Sequence, residues 1–391
     1  MTAKKPTELQ SKLDALMRFK CDLLGSYSKF LRYFFYQRHG KCFEFSDPEG
    51  RESHHITIAK ALTQVFDGKI KRLIINIPPR YGKTEMVVNW MAWCLARYPD
   101  CQFLYVSYGA DLATRYTGEV KEIITHEKFK RLFGVKLRDD TKSKSDFKTT
   151  AQGRVFGVGA EGGITGTGAG LKNVNRFGGA IVIDDIIKPG DAASETIRES
   201  ANKWYMNTLR SRLNSMDTPI VFIGQRTHED DLAGRLLSVS AKTGRSRFDG
   251  EHWDQVVLPA LDEHCNPLWP QFQCRSVLTN LQKTAPYEFA AQYQQNPQPA
   301  GGGLFKSEWF LCLEEEPKIE AVFITVDTAE TSKHYNDATV FSFWGVYRAP
   351  QDNTVLCLHW LDCEENWWEP KDLQAAFLDF YTRCRAVWNQ V

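Results

Sequence analysis

The sequence predicts an α/β protein organised around a parallel sheet that carries helices on both faces. Three observations predict it. Short, wholly apolar runs recur as RLIINI (72–77), QFLYVSY (102–108), AIVID (180–184) and PIVFIG (219–224). Amphipathic stretches separate them, at about 84–97, 110–125 and 193–213. The first run also leads directly into Gly82-Lys83-Thr84 at a helix start. Strands covered on both faces read as continuous apolar runs, and parallel neighbours need a crossover, usually a helix.

The remaining elements follow in chain order. Residues 1–60 read as a helical region, and 61–238 as the sheet-bearing core. Residues 147–170 (FKTTAQGRVFGVGAEGGITGTGAG) are rich in Gly and Thr and predict a hairpin followed by a loop. After Leu237 the apolar runs stop, so 239–303 reads as a small helical appendage that closes in a linker, NPQPAGGG (296–303). Within 304–391, AVFITVDTA (321–329), ATVFSFWGVY (338–347) and VLCLHWLDC (355–363) predict a three-stranded meander, with a helix at about 370–388.

Composition bounds the function classes. The 391 residues hold 49 Lys and Arg against 48 Asp and Glu, a net charge of +1, so a uniformly basic nucleic-acid coat is excluded while a local basic groove is not. No apolar run approaches the ~20 residues of a bilayer span, and the N-terminus lacks the apolar core of a signal peptide. Ten cysteines include no CxxC pair; several, such as Cys94 and Cys357, sit inside apolar runs as small hydrophobes. His252, His264, Cys265 and Cys274 match none of the common zinc spacings.

INIPPRYGKTE (75–85) carries the strongest chemical signal. A loop between a strand and a helix N-terminus presents backbone amides and the positive end of the helix dipole to anionic oxygens. Lys83 would reach the β- and γ-phosphates of ATP and Thr84 would ligate Mg2+. Pro78 and Pro79 stand near where the first glycine of the usual pattern would fall. A nucleotidase of this kind also needs a carboxylate on a neighbouring strand end. GGAIVIDDIIKP supplies Asp184 for the metal and Asp185 to polarise the attacking water. PIVFIGQRTHEDDLAG (219–234) ends an apolar strand in Gln225, Arg226 and Thr227; these either sense the γ-phosphate or merely cap the following turn.

PPRYGKTE, GGITGTG, IDDIIKP, NKWYMNTLRSRL and QRTHEDDLAGRLL occur in that order, followed by LPA, LWP, FAAQYQQNPQPAGGGLF and VDTAET. This set, from about residue 50 to 345, resembles the large terminase subunit of tailed bacteriophages or prophages, the ATP-driven motor that packages DNA into procapsids. The resemblance implies a RecA/ASCE-like P-loop ATPase followed by an RNase H-like nuclease. It assigns Pro79, Arg80, Tyr81, Gly82, Lys83, Thr84 and Glu85 to the phosphate loop. Asp184 becomes the metal carboxylate, Asp185 stands where many relatives have Glu, and Gln225 to Thr227 match a motif coupling hydrolysis to motion. Asp327 and Asp337 match nuclease ligands for Mg2+ or Mn2+. The implied partners are double-stranded DNA, a portal protein, a small terminase subunit and four further copies in a ring of five, in the host bacterial cytoplasm without a membrane.

Two departures from the family accompany this. The trans-acting arginine expected before the Walker B strand is replaced by ITGTGAGLKNVNRFGG, with Thr165 near the position and Lys172, Arg176 and Arg154 as substitutes. The further nuclease carboxylates of the family come from later strands, so a chain reaching Val391 one helix after its third strand predicts an incomplete nuclease. Two other readings stay open: a helicase-like DNA translocase, although no second RecA-like pattern follows residue 300, and an inactive, truncated prophage remnant. For DNA contact, the basic stretch 128–148 offers Lys142, Lys144 and Lys148 among others, unless it is simply a solvated loop.

Overall fold

The computed structural model describes residues 8–164, 166–240, 242–298, 316–328, 338–349 and 352–388. The chain divides into two units, Met1–Leu304 and Phe305–Val391.

The first unit opens with α1 (Glu8–Gly25), α2 (Tyr27–His39) and α3 (His54–Phe66). Ser26 begins α2 by accepting the Lys29 amide, and Gly40 ends it in a left-handed turn that lets its N–H reach the Tyr36 carbonyl. The expected helices are therefore present, but residues 40–53 are not helical. Alternation between β and α follows: β1 (Arg72–Asn76), α4 (Lys83–Arg97), β2 (Gln102–Ser107), α5 (Ala110–Thr125) and α6 (Glu127–Phe133). Then come β3 (Leu137–Lys142), β4 (Asp146–Thr149), β5 (Arg154–Gly159), β6 (Ile181–Asp184), α7 (Glu195–Trp204), β7 (Ile220–Gly224), α8 (Leu232–Leu237) and β8 (Asp254–Val257). The unit ends in α9 (Arg275–Thr284) and the short α10 (Pro286–Glu288), which runs on as a π-helical turn over Phe289–Tyr293.

These strands make one eight-stranded sheet in the order β3-β4-β5-β2-β6-β7-β1-β8. From β5 to β8 all pairings are parallel; β4 runs antiparallel to β5, and β3 to β4. The apolar runs are continuous because each strand feeds two cores. Leu73, Ile75, Phe103, Tyr105, Val182, Val221 and Ile223 face one, packed by α2 to α6. Ile74, Leu104, Val106, Ile181, Ile183, Ile220 and Phe222 face the other, packed by α7, α8 and Trp253. Helix α4 is buried nearly all round, and its two indoles satisfy their N–H groups on Leu62 O and Leu23 O, each at 3.1 Å.

Three sequence expectations are corrected. The segment after Leu237 is not purely helical: β8 joins the main sheet beside β1. It escaped notice because DQVV is an edge strand, alternately exposed, with no continuous apolar run. The sheet is not wholly parallel, since the polar β3 (LRDDTK) extends its margin. The helix expected at 193–213 ends at Trp204, and the chain passes through a π turn (Tyr205–Leu209) and a 3-10 turn (Arg210–Arg212).

The second unit contains β9 (Ala321–Asp327), β10 (Thr339–Ala349), β11 (Asp352–Asn366) and α11 (Leu373–Trp388). The strands form an antiparallel sheet, β11-β10-β9, with Phe341 and Phe343 packed against Phe380 and Cys384 of α11. Trp368 belongs to this core, stacked on Phe341 at 4.7 Å between ring centroids.

Candidate active site at the ends of the parallel strands

The C-terminal ends of β1, β6 and β7 adjoin in the sheet, and ligand crevices in open α/β sheets form at such ends. After β1 the loop 77–82 turns through left-handed conformations at Arg80 (φ 70°) and Gly82 (φ 81°) before α4 begins at Lys83. A side chain at Gly82 would be strained by that φ and pressed against His55, whose Nε2 lies 3.1 Å from the position of a Cβ. The loop therefore requires this glycine.

A cleft of about 480 Å³ opens here, lined among others by Arg80, Lys83, Thr84, Asp184, Asp185 and Gln225. The Lys83 ammonium pairs with the Asp185 carboxylate. Thr84 Oγ1 donates to Asp184 Oδ2 at 2.8 Å. Asp185 adopts φ 48°, its carbonyl accepts the Tyr108 amide at 2.8 Å, and its Oδ1 accepts the Gln225 amide at 3.4 Å. Burial disfavours the charge of Lys83, but Asp185 and Asp184 outweigh it and hold the ammonium above its ordinary range. Burial also pushes the Asp184 carboxyl up; Lys83 opposes that and Asp185 adds to it.

The other sequence candidates divide. Pro79 and Glu85 line the cleft, although Glu85 is held at 2.7 Å by Arg38, which also binds Glu119. Tyr81 is turned away and fully buried, its hydroxyl donating to Gln273 at 2.9 Å. Arg226 is taken by Asp231 at 3.0 Å, and the Thr227 amide donates to the same carboxylate. Arg154 grips Asp146 and Arg176 grips Asp100, while Lys172 is exposed in the loop before β6. Thr165 and Asp337 lie outside the described residues, as does the side chain of Lys142. Lys144 is exposed with its stem against Gly118, and Lys148 is half-buried on β4. Asp327 ends β9 exposed, and among the described residues no group of three or more His, Cys, Asp or Glu is placed to hold a metal.

Sequence reasoning missed Tyr105, Tyr108, Arg115 and Tyr116. Tyr105 donates to Asp184 Oδ2 at 2.6 Å, and the other three line the cleft. A signal was available for Tyr108 alone, which directly follows the apolar β2, since residues at the end of a parallel strand adjoin the crevice; Tyr105 lies within the strand, and Arg115 and Tyr116 lie on α5. A phosphate-bearing ligand with a divalent cation fits what is present. Among the described residues, Asp184 Oδ1 and Gln225 Oε1 are buried acceptors without a partner, and a hard cation or its bound waters would satisfy them.

No protein-family model matches the sequence, and no curated protein does. Solved structures similar in fold include large terminases. That of bacteriophage HK97 is 13% identical, the match covering 85% of this chain and 67% of that one at a TM-score of 0.47. The ATPase domain of the Thermus phage P74-26 large terminase is 16% identical, over 66% of this chain and 95% of that domain, with a TM-score of 0.41. The large terminase of another thermophilic bacteriophage, in complex with ADP, is 9% identical, over 86% of this chain and 74% of that one, with a TM-score of 0.37.

Proposed function

We propose that this chain is a large terminase subunit, an ATPase that drives double-stranded DNA into procapsids. The observation that carries the reading is the convergence on one cleft of Lys83, Thr84, Asp184, Asp185 and Gln225, drawn from three separate stretches of sequence. Magnesium bound at Thr84 and Asp184 would neutralise charge on the transferring phosphoryl group. Lys83 would exchange Asp185 for phosphate oxygens. That exchange frees the Asp185 carboxylate to accept a proton from water, while Gln225, tied to it through its amide, senses the change. Arg80, exposed on the loop, adds a cation at the cleft mouth.

The ordered terminase-like motifs supply the substrate class and the partners: double-stranded DNA, a portal protein, a small terminase subunit and a homo-oligomeric ring. Exposed Lys144 and half-buried Lys148 on the antiparallel margin are our candidates for backbone contact. For the second unit the reading is an RNase H-like nuclease with Asp327 as a metal ligand. It is supported by the antiparallel β11-β10-β9 sheet and the position of Asp327 at the end of β9.

The direct test is ATP turnover with and without DNA for the native chain, Lys83→Ala and Asp185→Ala. Turnover should fall at least ~10²–10³-fold in each variant, the scale of losing one transition-state contact. Undiminished hydrolysis in Lys83→Ala would sink the assignment of this cleft. Manganese-dependent plasmid cleavage, lost in Asp327→Ala, tests the second unit; cutting that survives this change would exclude Asp327 as a ligand.

A further inference from the structure

We infer that Tyr105 is a positioning residue for the metal site, fixing which oxygen of Asp184 is offered to a divalent cation; the inference rests on the nucleotide-site reading above. Tyr105 is fully buried on β2, the strand next to β6, and stands two residues short of Asp184 in register, since Ser107 pairs with Asp184. Its ring lies beside that of Tyr116, and its hydroxyl meets Asp184 Oδ2 at 2.6 Å. Thr84 Oγ1 donates to the same oxygen at 2.8 Å.

Oδ2 is thus occupied by two O–H donors, while Oδ1 is buried with no partner among the described residues. A free carboxylate could rotate and present either oxygen. Two donors on one oxygen fix that rotation, so the bare Oδ1 is the oxygen that would be left to hold a cation or its bound water. Thr84 keeps lone pairs for a cation while its O–H donates to Asp184 Oδ2, so the phenol and the threonine act together. Hydrogen-bond partners of metal ligands set ligand orientation and affinity, and losing one typically costs ~10–100-fold in metal affinity or activity.

Tyr105→Phe removes the hydroxyl alone and keeps the buried ring. The readout is ADP affinity of the full chain measured by calorimetry in EDTA and across a magnesium titration, beside the native protein and Asp184→Asn. The expected result is an unchanged affinity in EDTA, with the magnesium midpoint raised ~10-fold or more in Tyr105→Phe. A midpoint within about twofold of native, with Asp184→Asn strongly shifted, would overturn the role of Tyr105 and leave the nucleotide site standing. Equal weakening with and without magnesium would mark Tyr105 as structural only and overturn the inference. Absence of ADP binding in the native chain would overturn both. Should Tyr105→Phe fail to fold, 3-fluorotyrosine at position 105 replaces it. Its fluorine resonance should move when magnesium joins saturating ADP, and a static resonance counts against the proposal.

Discussion

In the first unit, Asp184 is 2% exposed at the end of β6, with one oxygen holding two hydroxyls and the other holding nothing. In the second unit, Asp362 and Glu364 stand on β11 in contact with solvent, and both are held by Arg383 at 3.0 and 2.8 Å. Both regions carry clustered charge, yet of these three carboxylates only Asp184 has a buried oxygen with no partner among the described residues. A buried acceptor without a donor is costly, so an unsatisfied oxygen on a cleft residue is where a bound water or cation would be stabilised. Exposed, paired carboxylates cost little and signify little. Perturbing buried polar groups of the first unit, with the solvated ones of the second as the reference, puts that contrast to the test.

The largest contrast should appear on acidification. Burial lowers His54 to about 4, and burial together with the neighbouring His54 lowers His55 to about 2. Both stay neutral in the folded chain, whereas the unfolded chain takes up protons near ~6.5. Stability contributed by the pair is therefore complete above pH ~6.5 and drains away as pH falls, towards about 4 for His54 and about 2 for His55. Between about pH 7 and pH 5 the loss should be about 2 kcal/mol per histidine. Urea unfolding at the two pH values measures it, and His55→Gln should remove about half of the difference. An identical loss in that variant would place the acid sensitivity elsewhere.

Next in size is Asp231→Ala. This carboxylate caps α8 through the Gly234 amide at 2.8 Å, accepts the Thr227 amide and pairs with nearly buried Arg226. Its removal leaves the Arg226 guanidinium with only the His228 and Glu229 carbonyls and uncaps a helix together. We expect a loss of about 3 kcal/mol, read by urea unfolding, with Asp231→Asn costing less because it still caps. A loss below about 1 kcal/mol would mean that water replaces the carboxylate freely.

The fold was legible where burial on both faces wrote itself as unbroken apolar runs, as in β1, β2, β6 and β7. It was illegible at the margins. β8 and β3 have a single neighbour each and tolerate polar residues, so neither periodicity nor composition marked them. The α7 stretch kept its apolar period while its backbone widened into a π turn, a change that depends on tertiary packing. At the site, Lys83, Thr84, Asp184 and Asp185 could be picked out because each sits next to a strand in the sequence. Their placement in one cleft is a fact of the structure. Tyr105 was hidden inside QFLYVSY, where an aromatic reads as core; only its hydroxyl distinguishes it. Arg38 is 47 residues from Glu85, and no local pattern joins them.

The smallest effects make the sharpest test, because the same chemical change is applied to both regions. Asp184→Asn retains an oxygen to accept the Tyr105 and Thr84 hydroxyls while removing a buried charge. That charge is unfavourable in the metal-free chain, since burial and Asp185 push its carboxyl up more strongly than Lys83 pulls it down. Without metal or nucleotide at about pH 7, Asp184→Asn should therefore stabilise the protein by about 1–2 kcal/mol, as do many substitutions that relieve an active site of its own electrostatics. Asp362→Asn gives up a partly exposed pairing with Arg383, which Glu364 continues to hold, and should change stability by less than about 0.5 kcal/mol. Thermal unfolding of the two variants, followed with and without magnesium ADP, would separate the regions. Only Asp184→Asn should lose the added stability conferred by the metal nucleotide. If Asp184→Asn instead destabilises the metal-free chain, the bare Oδ1 is satisfied within the fold and no longer marks a place kept for a cation.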